Sequence, residues 1–159
     1  MTKSKFKFII PSIIGIIVCF AIGFTAKHIQ TSSLETWYPL LEKSSLTPPS
    51  IAFPIAWGII YLLTGASIGF IWNSTSAFRG SAIVLFVTQL FLNFFWSITF
   101  FYMQSPALGF INIILLDIAV IMYMSRCRYI NRIAYWLNIP YIVWLCLATY
   151  LNGYIMLFY

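Results

Sequence analysis

Five apolar runs, at about 8–26, 51–72, 81–102, 106–125 and 133–158, contain a single charged side chain between them, Asp117. Each approaches the roughly 20 residues that a helix needs to cross the hydrocarbon core of a bilayer. No water is available there to pair with backbone N–H and C=O groups, so such runs must be helices that pair them internally. Of the 159 residues, 62% are hydrophobic and only 8% charged, against about 25% charged in a soluble domain. These numbers exclude a water-soluble domain. They predict an all-α membrane protein, a bundle of five transmembrane helices forming one domain over residues 1–159. One long extramembrane loop, 27–50, joins helices 1 and 2.

The third and fourth runs touch, and Gln104-Ser105-Pro106 divides them; proline is tolerated in the first turn of a helix but not in its interior. Asn73-Ser74-Thr75-Ser76 closes the second run and offers capping chemistry to the third. The basic N-terminus and apolar centre of the first run suggest a secretory signal, but an apolar stretch from Phe6 to Ala26 exceeds the usual ~7–15 residues. It is read as a retained first span. The gap of 27–50 is too long for a simple connection and, with two aromatics and Pro48-Pro49, is predicted to be an ordered lid.

Nine basic and three acidic residues give a formal charge of +6. Their placement says more than their sum. Lys3, Lys5, Lys7, Arg79, Arg126, Arg128 and Arg132 fall on one side of a five-span chain, and Lys27 and Lys43 on the other. This asymmetry predicts a multi-pass protein of the cell membrane, with the N-terminus cytoplasmic and with loop 27–50 and the C-terminus outside. Charges that flank spans are topology signals and headgroup contacts, not a nucleic-acid face. Cys19, Cys127 and Cys146 have no short spacing, so neither a disulfide framework nor a zinc site is expected. No metal site and no required cofactor is predicted.

Acid–base chemistry has few candidates. His28 is the only histidine, and Glu35 and Glu42 lie in the predicted loop, so a hydrolytic triad is not expected. What remains is polar and aromatic residues at helical spacing. Gln89, Asn93, Trp96, Ser97 and Phe100 share one helix face, which must turn inward because amides avoid lipid. Interhelical hydrogen bonding explains many such amides equally well. Tyr141, Trp144, Ala148 and Leu151/Asn152 form a stripe on the last span, and Trp57 and Tyr61 share a face of the second. Trp144 is about ten residues from either end of its span, too deep for an interfacial belt. An intramembrane carboxylate such as Asp117 is a functional candidate by default, with a neutral acid bonded to Asn93, Tyr or Ser on another helix as the preferred reading. Gly65-x-x-x-Gly69 permits close helix approach, within one chain or between chains.

These residues resemble the translocator protein family, also called tryptophan-rich sensory proteins or peripheral benzodiazepine receptors. Trp37-Tyr38, Leu41, Lys43, Pro48-Pro49, Phe53 and Trp57 match its first signature. Gln89-Leu90, Leu92-Asn93 and Trp96-Ser97 match its third-helix motif, and Pro140-Tyr141, Trp144, Ala148 and Leu151-Asn152 its fifth. Ser44 stands where the family usually has proline, a change expected to loosen that turn. The resemblance implies five helices around one pocket, often in a homodimer, and binding of porphyrins such as protoporphyrin IX and haem, or of benzodiazepine-site hydrophobic molecules. It also implies light- and oxygen-dependent breakdown of protoporphyrin with Trp57 and Trp144 as the reactive indoles. Tyr61, Asn93, Trp96, Ala148, Phe53 and Leu151 would line the pocket, with Tyr38 and Pro48 in the lid. Lys43 would meet a ligand carboxylate, or Glu42 or a headgroup. A porphyrin is then ligand or substrate, and transport of tetrapyrroles or other hydrophobic small molecules is the alternative function. No basic residue follows Arg132, so the C-terminal end lacks a sterol-type Leu/Val–Tyr–Lys/Arg pattern.

Overall fold

The computed structural model describes residues 7–159; Lys3 and Lys5, used in the charge comparison above, lie outside them. Five helical spans are long and apolar enough to cross a membrane. They are α1 (Ile9–Thr36), α2 (Ala52–Trp72), α3 (Arg79–Ser97, prolonged by a π-helical turn Ile98–Tyr102), α4 (Pro106–Ile130), and a two-part fifth span, α5 (Arg132–Leu137) and α6 (Ile139–Phe158).

The first helix runs ten residues past its expected end at Ala26. Apolar content marked where the lipid-facing part stops, not where the helix stops. Lys27, Gln30 and Glu35 are good helix formers, and no glycine or proline intervenes before Pro39. The hydroxyls of Thr25, Thr31 and Thr36 also bond back to the carbonyls of Ala21, Lys27 and Ser32 at 2.8–2.9 Å. The connection to α2 is therefore shorter than the predicted 27–50 loop, beginning at Trp37.

Two further boundaries move. The fourth helix continues through Arg126 and Arg128 to Ile130, so Asn131 alone joins it to α5. The expected 126–132 loop is mostly helix. Asn131 Oδ1 accepts from the N–H groups of Ile133 and Ala134 and caps α5. The 73–76 polar run does close α2, but α3 begins after Phe78 without a side-chain cap; Ser74 and Ser76 bond within the turn instead. Ser105 and Pro106 start α4 as expected, with Ser105 Oγ accepting from Leu108 N.

The fifth span is broken at Asn138. Pro140 removes an N–H and crowds the carbonyl four residues back. Within a membrane this break needs a local partner. Asn138 Nδ2 donates to the Ala134 carbonyl at 2.8 Å, and its Oδ1 accepts from Thr64 Oγ1 at 3.0 Å. Thr64 leads on through Ser67 to Tyr123, whose hydroxyl lies 2.8 Å from Ser67 Oγ. This buried chain of hydroxyls and an amide ties α2, α4 and the α5–α6 joint.

The tightest helix contact joins α1 to α2. A Cβ on Gly65 would stand 2.5 Å from Ile16 Cα, and one on Gly69 would stand 2.7 Å from Ser12 N. Ser12 Oγ donates across the seam to the Ala66 carbonyl at 2.9 Å. The Gly65-x-x-x-Gly69 pattern thus serves a contact within one chain. Gly58, higher on α2, has open space where its Cβ would go. The contrast yields a test by thermal unfolding in detergent. Gly65→Ala should cost about 1–3 kcal/mol through overpacking. Gly58→Ala should be neutral or stabilising by up to about 1 kcal/mol, from helix propensity alone.

Candidate functional site

The predicted site residues converge where α2, α3 and α6 face one another. Trp57 stacks on Tyr61 with ring centroids 5.6 Å apart and meets Tyr141 and Trp144 edge-on at 6.0 and 6.5 Å. Phe53 meets Trp144 edge-on at 5.5 Å. The Tyr61 hydroxyl donates to Asn93 Oδ1 at 3.4 Å, and Asn93 Nδ2 donates to the Tyr141 hydroxyl at 3.2 Å. A single amide on α3 therefore bridges phenols from α2 and α6. The inward face read from the α3 spacing is real: Gln89, Asn93, Ser97 and Phe100 are all buried.

Trp57, Asn93, Trp96 and Ala148 line a cavity together with Ile113, Leu116 and Leu145. Its volume is only about 10 Å³, room for about one water molecule. Tyr61, Phe53 and Trp144 form the ring shell beside Trp57 and are not part of the lining. Leu151 is buried and Pro48 half-buried, and neither lines the cavity. Ile113, Leu116 and Leu145 were not predicted, because an aliphatic side chain in an apolar run carries no signal beyond its helical register. Asn152 was visible in its motif but its task was not. Its Oδ1 accepts from Trp96 Nε1 at 2.9 Å, while its Nδ2 donates to the Pro106 carbonyl at 3.0 Å. This fixes the Trp96 indole.

Asp117 takes a different partner from those expected. Thr149 Oγ1 donates to Asp117 Oδ2 at 2.8 Å, whereas Asn93 is occupied by the two tyrosines. The carboxyl thus joins α4 to α6 and does not enter the cavity lining.

The end of the bundle nearest the α1–α2 connection is built on the π-helical turn. Its wider winding pairs Met103 N with the Ile98 carbonyl at 2.8 Å, and Ser33 Oγ of α1 donates to the Phe101 carbonyl at 2.7 Å. The turn places Phe100 flat on Trp96 at 5.1 Å and Phe101 edge-on to it at 5.5 Å. Trp37 and Tyr38 rest on those two phenylalanines, at 5.5 and 5.8 Å, one layer out from the cavity. Burial pushes the Tyr38 phenol above its ordinary pKa. Among the described residues Lys43 does not pair with Glu42. Its Nζ donates to the carbonyls of Tyr38 and Leu41 at 2.9 and 3.0 Å and lies 4.9 Å over the Tyr38 ring, holding the 3₁₀ turn Tyr38–Leu40 shut. Ser44, where the family usually has proline, makes side-chain contacts that a proline could not. It is buried, accepts from Leu46 N at 3.2 Å and lies 3.0 Å from the Tyr150 hydroxyl of α6.

A family model described as "TspO/MBR family" matches residues 15–157. The chain belongs to the TspO/MBR family. A tryptophan-rich protein TspO of Archaeoglobus fulgidus is 38% identical over 144 residues, covering 91% of this chain and 94% of that one. The TspO protein of Chlorobaculum tepidum is 34% identical, with 85% and 87% covered. The human translocator protein is 29% identical, with 73% and 70% covered. This membership and the five spans make the chain a multi-pass membrane protein with a helical-bundle fold. Of the residues that carried the resemblance in the sequence, Phe53, Trp57, Asn93, Trp96, Tyr141, Trp144, Ala148 and Asn152 stand together in space.

The loop contacts generate a prediction for hydrogen exchange of the protein in detergent. Lys43→Met should speed amide exchange over 37–43 several-fold, since charge-assisted bonds contribute about 1.5–3 kcal/mol when buried and less at a half-exposed lysine. Tyr150→Phe should do the same over 43–47 while leaving 98–102 unchanged.

Proposed function

We propose that this protein is a membrane receptor that binds porphyrins, protoporphyrin IX or haem, and similar flat hydrophobic molecules between α2, α3 and α6. The observation that carries the reading is the Trp57 cage. The indoles of Trp57 and Trp96 face one small gap, and the rings of Tyr61, Tyr141 and Trp144 pack around Trp57 outside it, with a few fixed polar groups beside them. A conjugated apolar ring suits such a surface, because stacking and edge-to-face contacts add to area burial. A macrocycle is far larger than the gap, so entry requires the cage rings to move apart. Contacts across α2–α6 at this level are ring on ring, each contributing about 0.5–1.5 kcal/mol beyond area burial, which stacking on the bound ring would offset. Tyr38 and Pro48 belong to the segment over the mouth and Leu151 to the α6 stripe, and they are the outer contacts of an opened pocket.

Trp57 and Trp144 are the indoles placed to react if bound protoporphyrin is oxidised by molecular oxygen under light. Transport of tetrapyrroles is the competing reading. The protein acts in the cell membrane, as a homodimer, with the end bearing Lys7, Arg79, Arg126, Arg128 and Arg132 in the cytoplasm and the 37–51 connection outside.

The test is titration of the purified protein with protoporphyrin IX, followed by absorbance and tryptophan fluorescence in light and in darkness. Saturable quenching is expected, and Trp57→Leu should weaken it about tenfold, from a stacking loss of about 1.5 kcal/mol. A light-dependent product absent in Trp57→Phe or Trp144→Phe would establish the photo-oxidation. Uptake into sealed vesicles with an unchanged spectrum would favour transport. No saturable quenching at all would end the receptor reading.

A further inference from the structure

We propose that the corner formed by the end of α2, the start of α3 and the last turns of α4 is a binding site for the phosphate of an anionic phospholipid. Two arginines are held there on aromatic rings. The Arg79 guanidinium lies 5.7 Å over the Trp72 ring, and its Nε donates to the Trp72 carbonyl. The Arg126 guanidinium, arriving from α4, lies 5.0 Å over Phe78, the residue next to Arg79 in the chain. Phe78 in turn packs against Tyr129 at 5.6 Å. The α2–α3 turn and the distant end of α4 are thus gathered into one basic and aromatic surface.

The arrangement is built for an oxyanion. Both arginines are half-buried, and seating on a ring fixes the plane of each guanidinium, so less side-chain freedom is lost when a ligand binds. The remaining N–H donors can meet phosphate oxygens in the paired geometry that guanidinium favours. No acid of the protein competes. Glu35 ends α1 at the opposite end of the bundle, Glu42 lies in the connection beyond it, and Asp117 is midway along α4.

The surroundings select a lipid over a soluble phosphate. Trp72, Phe78 and Tyr129 are 46, 40 and 68% exposed, and aromatic rings of this kind settle at the headgroup level of a bilayer. Further along α3 the side chains of Val84, Val87 and Phe91 are exposed within the span and offer contact to acyl chains. A zwitterionic choline headgroup would bring a further cation to a basic corner. A phosphatidylglycerol headgroup carries net negative charge and a small uncharged alcohol, so it fits.

The test is native mass spectrometry of the full-length protein from detergent, with phosphatidylglycerol and phosphatidylcholine added at equal concentration. The wild-type protein should retain phosphatidylglycerol in clear preference. An attraction of about 1 kcal/mol for each basic residue near anionic lipid corresponds to about fivefold, so Arg79→Gln with Arg126→Gln should lower retention by roughly twentyfold. Arg128→Gln with Arg132→Gln, which removes the same charge from two exposed arginines, should lower it far less. Equal losses in the two double variants would overturn the site in favour of diffuse attraction. Equal retention of the two lipids by the wild-type protein would overturn it without any variant, as would displacement of phosphatidylglycerol by millimolar inorganic phosphate, which would mark a soluble-anion site.

Discussion

A polar group without a partner inside a bilayer has no water to turn to, and this constraint organises most of the interior, the buried Gln89 amide, Asp117 Oδ1 and Trp144 Nε1 being without partners among the described residues. Each place where the chain departs from a regular helix is answered by a side chain from a neighbour. Asn138 and Thr64 answer the break before Pro140. Ser33 answers the widened turn at Phe101. Asn112 Nδ2 reaches the Leu92 carbonyl at 2.9 Å. The polar residues of this apolar protein are therefore its fasteners, and the helices they fasten are the ones that present the aromatic cage.

The close α1–α2 seam and the ring-lined α2–α6 seam illustrate two ways of packing helices without a hydrophobic driving force. At Gly65 and Gly69 backbones touch, and the contact is rigid because no side chain stands between them. At Trp57 and Trp144 large flat groups meet edge to face at 6.5 Å, so side chains and not backbones fill the space between the helices. The molecule joins one close seam to one wide seam, and Trp57 of the wide seam also lines the cavity.

The five spans and the inward face of α3 were legible in the sequence because lipid imposes a uniform composition and a helix a uniform period. The helix ends were less legible. Hydropathy reports contact with lipid, and α1 and α4 both continue as helices through polar residues, to Thr36 and Ile130. The break at Asn138 was written in Pro140, but a proline in a membrane helix is read as a kink or as a first turn according to what its neighbours supply. Of the site, the tryptophans and amides were legible because they are expensive in lipid. The aliphatic wall of Ile113, Leu116 and Leu145 was not, since nothing separates a lining leucine from a lipid-facing one except its register. The partners of Lys43, Ser44 and Asp117 also depended on tertiary placement. Each could have reached several groups, and only the fold chose among them.

The engagement of Lys43 bears on how the connection between α1 and α2 keeps its shape. With its ammonium on the carbonyls of its own turn and over the Tyr38 ring, the residue closes that turn without help from any distant part of the chain. The segment thus carries its own clasp, and the bundle has only to supply the aromatic floor on which Trp37 and Tyr38 rest.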